Sequence, residues 1–440
     1  MGEFPQPQSL SDLRPEFLSL RRLARMLNAE PMTLYETAMS YEGRLRSRYL
    51  AAWQSLEESP LCREDFKLSP FLKAEKLNPN KVHKPRMIMP RTPRYNLVLA
   101  SYLKNFEHEL YRRWKGPSGK RIVAKGMNPV QRAKIIEEKF LSIPDCVVVE
   151  VDGAQFEAHQ TRDLLKEEHS VYLSKFPNLR WMLEAQLTLE GRTSEHIKFS
   201  RPGCRASGDF NTGLGTTICM TVPVMSTMRI LGIREYDLLS DGDNCLLFLH
   251  QRDLPTLMSK FYDQMVRSAG LECTIENPVY VMEQITFGQS RPVWDGVGYR
   301  MVRDPWKVLS NSLSTYRHHD YKYRRRLWKG IAKCEIACNQ GIPVLQAYFT
   351  KVLHEFREER DVKSDALADY RYLLGSLYDR SAIREVSLRS RVSFELAFGI
   401  TPMEQRRLEL RCFEEEKSMC VMDFDDSFHE LAEPLIHSSN

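Results

Sequence analysis

Two acids stand where a folded chain resists placing them. Asp152 closes the run CVVVEVDGAQF at 146–156, and Asp243 lies inside LLSDGDNCLLFL at 238–249. The first run is β-branched and reads as a buried strand ending at Asp152; the second reads as a hairpin with DGDN at its tip. Burying a carboxylate costs about 3 kcal/mol or more unless something pairs with it. Two such acids on adjacent strands repel unless a cation lies between them. Mg2+ takes a few carboxylates, keeps several waters and completes its shell with substrate phosphates. Two such ions can clamp the attacking and leaving oxygens of a phosphoryl transfer. The pair therefore points to a divalent-metal site on Asp152 and Asp243, with the Asn244 amide beside them. Taken singly, each acid could equally cap its own turn.

A third stretch adds to these two. SGDFNT at 207–212 sets Ser207 and Gly208 ahead of an apolar helix, and Thr212 and Thr216 lie four apart on one helical face. Small hydroxyls beside a glycine loop suit hydrogen bonding to a sugar and close backbone approach. Cys334 and Cys338 in CEIAC, with His318 and His319 upstream, make a zinc site conceivable. The usual C-x2-C knuckle is missing, so two small residues on one buried helix face is the favoured reading.

The elements that must position these groups follow from periodicity. Residues 15–57 alternate at helical spacing, 58–94 read as loops with short extended pieces, and 97–114 as an amphipathic helix. The strand at 146, the loop and helix of 205–228 and the 238–249 hairpin come next. A helix over 254–268 and strands over 279–302, turning at Gly288 and Gly296, follow. From about 305 the pattern is mostly helical. Strand, helix, hairpin, helix, strand predicts an α+β core with helical flanks.

Composition sets the class. The chain has 440 residues, 42% hydrophobic, and ten cysteines without a dense framework, which fits reduced thiols. No stretch is long and apolar enough for a membrane span, and MGEFPQPQSL has no secretory pattern; Gln6 stands where myristoylation wants Ser or Thr. A soluble intracellular protein is expected. Net charge is +5, but residues 413–440 carry −7, leaving +12 on the rest. Basic clusters at 73–94, 112–125 and 317–329 interleave with Tyr95, Trp114, Tyr321, Tyr323 and Trp328. Such a body suits a polyanion such as nucleic acid.

At this point the chain resembles the viral RNA-dependent RNA polymerases, those of the tombusvirus-like positive-strand RNA viruses in particular. KPRMIMPRTPRYNL (84–97) resembles the basic fingers motif, VDGAQFEAH (151–159) motif A, SGDFNTGLGT (207–216) motif B and DGDN (241–244) motif C. GLECTIENPVY (270–280) takes the place of motif D, and ITFGQSRPVWDG (285–296) resembles motif E. MVRDPWK (301–307) and RVSFELAFGITPMEQ (391–405) resemble thumb segments. The order and spacing carry the resemblance more than any one match.

The resemblance implies a right-hand polymerase with an antiparallel-sheet palm and largely helical fingers and thumb. Fingers would hold 61–143 and 165–205, palm 144–164 and 206–283, and thumb 284–412. A helical extension (1–60) would precede them and an acidic tail (413–440) follow. The implied activity is template-directed RNA synthesis from ribonucleoside triphosphates with two Mg2+ or Mn2+ ions on Asp152, Asp243 and Asn244. Lys76, Lys84 and Arg86, with Lys73 as a second candidate, would contact the triphosphate. Glu157, Ser207, Gly208, Thr212 and Thr216 would face the nucleotide, and Phe287, Gly288 and Gln289 would support primer and template. Arg91 and Arg94 would be structural or touch the template backbone.

The implied partners are template and nascent RNA, nucleoside triphosphates and other viral replication proteins. The implied place is the cytoplasm of an infected cell, with any recruitment to replication membranes made by a partner. The chain departs from the family pattern at Glu157 (normally Asp), Thr216 (normally Asn) and Asn244 (normally Asp). Glu157 and Thr216 are expected to form one size-compensated contact. Residues 270–280 lack the Lys that often serves as general acid. A weakened, RNA-binding relative is the alternative reading, and a reverse transcriptase is disfavoured by SGDFNT.

Overall fold

The structure, a computed structural model describing residues 4–73, 84–315, 320–362, 364–378 and 382–414, divides into two units. One comprises Met1–Lys125 with Glu138–Tyr280, the other Gly126–Glu137 with Val281–Asn440. Both combine helices with small antiparallel sheets, as an α+β chain should.

In the first unit, β1 (Phe71–Leu72) pairs with β2 (Met87–Ile88), the only extended pieces of the Pro- and Lys-rich stretch among the described residues. The main sheet has four strands: β3 (Cys146–Gly153), β6 (Tyr236–Asp241), β7 (Asn244–His250) and β8 (Cys273–Ile275), in the order β6-β7-β3-β8. A separate hairpin, β4 (Thr188–Arg192) with β5 (Lys198–Pro202), was not expected from the sequence. Each strand carries one large hydrophobic residue, Leu189 in β4 and Phe199 in β5, so the hairpin leaves little alternating apolar signal.

β3 is an inner strand, paired on both edges, and Val147, Val148, Val149 and Val151 are fully buried. β-branched side chains suit that pleated, covered position. β7 buries Cys245 through Leu249 beside it. Register is therefore set by apolar residues, since a one-residue slip would turn each strand's faces over.

Helices cover this sheet. α1 (Arg14–Met26) buries Phe17, Leu20 and Ala24. α2 (Pro93–Arg113) starts where the Thr92 side chain accepts from the Tyr95 N–H and Pro93 occupies the first turn. α3 (Arg162–Leu173) and the short α4 (Arg180–Glu184) follow the first strand. α5 (Thr212–Ile230) is buried on nearly all sides, as its apolar composition requires. α6 (Leu254–Ala269) ends at Gly270, whose φ of 67° is the left-handed value that favours glycine.

One buried ion pair fixes the base of the hairpin strand β6. Lys139 Nζ lies 2.7 Å from Asp237, with side chains 0% and 1% exposed. Asp237 also accepts from the Ser118 hydroxyl and from the Leu238 N–H. Burial pulls the Lys139 ammonium below the usual lysine range, and Asp237 opposes that.

In the second unit, β9 (Ser290–Trp294) pairs with β10 (Tyr299–Arg303). α7 (Tyr321–Cys338), α8 (Leu345–Glu355), α9 (Leu388–Phe398) and α10 (Pro402–Glu414) supply most of the rest. Its own core gathers Trp328, Ile336, Leu345, Phe349 and Phe394.

Removing one partner of a buried pair leaves the other charge uncompensated. Lys139→Met is expected to lower the unfolding free energy by about 3–5 kcal/mol. Denaturant melts would read the loss, and adding Asp237→Asn should recover part of it.

Candidate active site

The site is built at one end of the main sheet. Asp152, on β3, stands opposite Asn244 of β7 and Thr274 of β8. β6 and β7 are joined by a two-residue turn, Gly242–Asp243, with Asp241 opposite Asn244. Gly242 has φ 69°, which glycine tolerates at the first turn position of such a hairpin. The Gly153 N–H donates to the Asp243 carbonyl at 3.1 Å, so the two acid-bearing segments are tied through backbone. Partial loss of water, then the charges of Asp243 and Glu276, push the Asp152 carboxyl above its ordinary range. Glu276 arrives just after β8, held by its N–H on the Glu150 carbonyl at 2.9 Å.

Asp241 is drawn elsewhere. Its carboxylate lies 2.9 Å from Lys125 Nζ, and that ammonium also flanks Gly213 on the first turn of α5. The Thr217 hydroxyl, itself donating to the Gly213 carbonyl at 2.8 Å, accepts from the Gly242 N–H at 3.2 Å. The hairpin tip is thus fastened to α5 by Lys125 and Thr217. Sequence reading missed both, because neither contact has a local spacing signal.

Glu157 follows on a single helical turn, Phe156–His159. Phe156 folds back beneath Gly153, where a Cβ would lie 2.2 Å from its ring. Burial raises the Glu157 carboxyl and Asp243 adds to this, while Arg205, Arg86 and the nearby Ser207 hydroxyl oppose it. Asp243, Arg86, Ser207 and Arg205 are therefore its electrostatic neighbours. Next to it, His159 Nε2 lies 2.8 Å from Glu272.

The loop before α5 is packed against the strand-β2 segment. Ser207 Oγ donates to the Met87 carbonyl at 3.2 Å. A Cβ on Gly208 would stand 2.7 Å from the Pro90 backbone, so only glycine fits. Behind the loop, Arg91 pairs with Asp209, both buried, and donates to the Phe66 and Ala185 carbonyls at 2.9 and 2.7 Å. Arg205 pairs with Glu168 in the same buried layer, and Asn211 and Gln186 exchange two amide bonds. Arg91 is thus a structural residue. Arg94 is another, donating to Asp65, Ser55 and the Ser59 and Pro60 carbonyls.

One sequence expectation changes here. The Thr212 hydroxyl donates to the Ala206 carbonyl at 2.9 Å and closes the loop. The Thr216 hydroxyl is buried with no hydrogen-bond partner, so Glu157 and Thr216 do not form the expected contact. Thr217, one position on and about 100° around the helix, makes the link to the hairpin instead. Lys84 and Arg86 are exposed at β2, and the Lys73 N–H donates to the Arg86 carbonyl at 2.8 Å. Lys76 lies outside the described residues.

The remaining candidates belong to the second unit. Phe287 and Ser290 exchange backbone hydrogen bonds around Gly288 and Gln289, whose φ values of 57° and 58° make a tight hairpin turn. Phe287 is 1% exposed, and the Arg132 guanidinium stands 5.8 Å over its ring. Cys334 and Cys338 are buried on α7, and burial lifts the Cys334 thiol to about 12. That suits packing rather than metal; His318 and His319 lie outside the described residues. Among the described residues no three His, Cys, Asp or Glu side chains gather as a ready metal set.

The raised Asp152 carboxyl carries a sign. Its folded value lies above the unfolded one, so its charge opposes folding at neutral pH, and the penalty fades as pH falls through the folded value. Asp152→Asn is expected to raise the melting temperature by about 2 °C at pH 7 in chelator, with the gain shrinking in acid. Adding Mg2+ should stabilise the unaltered chain and not the variant.

Residues 7–416 match the sequence family described as viral RNA dependent RNA polymerase. The chain is 35% identical over 389 residues to the RNA-directed RNA polymerase of Tobacco necrosis virus (strain A), covering 86% of this chain and 54% of that protein. It is 32% identical over 450 residues to that of Turnip crinkle virus, covering 98% and 57%. For Tomato bushy stunt virus (strain Cherry) the figures are 31% over 386 residues, 86% and 47%. The chain spans about half the length of the curated relatives it matches. With a matching profile over nearly all of its length and its motifs in order, the chain belongs to the viral RNA-dependent RNA polymerase family.

Proposed function

We propose that this chain synthesises RNA on an RNA template by nucleotidyl transfer, as the core of a viral replication and transcription enzyme. The observation that supports this most is the register that sets Asp152 opposite Asn244, with Asp243 bonded through its backbone to Gly153. The first unit would hold fingers and palm and the second the thumb of a right-hand polymerase.

Asp152 and Asp243 are the residues that would hold divalent ions, with the Asn244 amide as a third oxygen. The fit rests on the negative charges of Asp243 and Glu276 acting on Asp152, while the Lys125 ammonium at the hairpin is given to Asp241. Bound there, two such ions supply activation of the primer 3′-hydroxyl and stabilisation of the pyrophosphate leaving group.

The chain's own residues bind and orient. Arg86 offers a planar fork to phosphate oxygens, and Lys84 a point charge beside it. Glu157, beside Ser207, would face the ribose, and Gly208 lets the loop backbone approach the nucleotide closely. Thr212 holds that loop closed, and Thr217 and Lys125 hold the hairpin at a fixed place on α5. Phe287, Gly288 and Gln289 would form a rigid turn for the primer strand. RNA, nucleoside triphosphates and other viral replication proteins would be the partners. The cytoplasm of an infected cell would be the place; no described helix is long and apolar enough to cross a membrane.

Purified chain given an RNA template and labelled ribonucleotides with Mg2+ or Mn2+ is expected to incorporate label. Asp243→Ala should reduce incorporation about 1000-fold or more. No incorporation under any condition, with RNA still bound, would favour the weakened RNA-binding reading. Deoxyribonucleotide incorporation alone would make the chain a reverse transcriptase.

Asn244 sets the metal preference. It removes a charge at the tip, and Asp241 does not restore it because Lys125 holds it. Mn2+ tolerates the less charged shell better than Mg2+. Asn244→Asp is expected to lower the ratio of Mn2+- to Mg2+-supported incorporation by about fivefold or more. An unchanged ratio would remove Asn244 as the cause.

A further inference from the structure

The segment that carries Glu157 is a single helical turn, Phe156–His159, and one turn does not hold itself together in water. It is entered at Gln155, whose φ of 44° lies in the left-handed region that non-glycine residues rarely adopt. Contacts from outside must therefore set where the turn stands.

Glu272 supplies two of them, one at each end. Its carbonyl accepts from the Ala154 N–H at 3.0 Å, just before the turn. Its carboxylate lies 2.8 Å from His159 Nε2, on the last residue of the turn. Nδ1 of the same ring lies 3.2 Å from the Gln155 carbonyl, so the imidazole also closes the turn on itself. The Arg205 N–H, donating to the Glu157 carbonyl at 3.0 Å, holds the middle. Releasing the His159 end would let the turn rotate about that point and swing the Glu157 side chain.

Glu272 is itself fixed. It directly precedes β8, whose Cys273 and Thr274 stand opposite Gly153 and Asp152 of β3. The Tyr262 hydroxyl, from α6, donates to its second carboxylate oxygen at 3.2 Å. The His159 side chain is 1% exposed and that of Glu272 39%. Phe4 lies over the imidazole, with ring centroids 4.4 Å apart. A carboxylate open to water gains little from such a contact. What the contact changes is the freedom of the turn.

We propose that Glu272 is a positioning residue for sugar selection: by bracketing the turn from Ala154 to His159 it fixes the Glu157 carboxylate against the ribose 2′-hydroxyl of the incoming nucleotide. This rests on the polymerase reading in which Glu157 faces the ribose. A group that reads one hydroxyl must stand within about 0.5 Å of its productive place, and the bracket supplies that precision. The segment 270–280, which lacks a lysine, thereby gains a part in selection.

The test compares kcat/KM for a ribonucleotide and its 2′-deoxy counterpart on one RNA template, with the full chain. Glu272→Ala removes the carboxylate and keeps the carbonyl. It is expected to lower the ribo-to-deoxy ratio by about fivefold or more, through a higher KM for the ribonucleotide and little change for the deoxynucleotide. His159→Ala should do the same, and the double variant should fall within about twofold of either alone, because both remove one contact. Glu272→Gln, whose amide oxygen can still accept from the ring, should keep the ratio within about twofold, as should Asp263→Ala, which removes an exposed acid of α6. Hydrogen exchange reads the bracket without turnover. Amides of residues 156–160 should exchange about tenfold faster in Glu272→Ala, with those of 147–151 unchanged.

An unchanged ratio in Glu272→Ala overturns the proposal. So does an equal loss on both nucleotides, which marks a merely structural role. A loss in Glu272→Gln or Asp263→Ala as large as in Glu272→Ala, additive losses in the double variant, or unchanged exchange also overturn it. In each of these outcomes the unaltered chain still incorporates ribonucleotides, so the polymerase reading stands. An unaltered chain that incorporates neither nucleotide overturns that reading instead, and the selection role falls with it.

Discussion

Everything at the candidate site depends on one electrostatic constraint: like charges held together by an apolar sheet. Asp152, Asp243 and Glu276 lie close enough to raise the Asp152 carboxyl. They do not choose that arrangement. It is imposed by β3 and β7, whose fully buried valines and leucines admit only one register. Moving the acids apart would expose those side chains, each worth about 1.5–3 kcal/mol when buried. Hydrophobic burial therefore stabilises an unfavourable charge distribution, and a divalent cation would relieve it.

Behind the site the chain handles charge in the opposite way. Arg91 with Asp209, Arg205 with Glu168, and Lys139 with Asp237 are buried pairs, each close to neutral as a unit. Replacing such pairs with apolar residues can be neutral or stabilising, so stability alone does not explain them. Their placement does. Arg91 and Asp209 join the segment after β2 to the loop before α5, and Arg205 stands beside Glu157. Directional bonds fix these loops where a greasy contact would let them slide. Neutral pairs behind and unpaired acids in front give a site whose net charge is concentrated on one side.

Much of this was legible in the sequence because it is local. The valine run ending at Asp152, the two-residue tip of DGDN and the helix after SGDFNT are each written in consecutive residues, and they folded as read. What was not legible joins distant residues. Lys125 and Asp241 are far apart in sequence, and no periodicity marks them as partners. The choice of Thr217 over Thr216 depends on how α5 is rotated against the hairpin, which its all-round apolar sequence does not encode. The β4–β5 hairpin was missed because each strand carries one large hydrophobic residue, Leu189 or Phe199, too few to mark in sequence the alternating burial it folds with. Glu272 and His159 likewise meet only once β8 has paired with β3.

The three departures from the family pattern now separate into different physical cases. Glu157 remains among charged neighbours, so its extra methylene changes how far a carboxylate reaches toward Ser207 and Arg86. Thr216 is buried and bonded to nothing, so its exchange for Asn removes polar atoms that would otherwise need partners. Asn244 is the electrostatic case. The hairpin keeps an acid, Asp241, directly opposite it, but Lys125 neutralises that acid and turns it toward α5. The tip thus holds as many carboxylates as a doubly acidic turn would, with one of them used as a structural clamp. A residue that reads as a loss of charge at the metal is, in the folded chain, part of a redistribution that fastens the hairpin to the helix beside it.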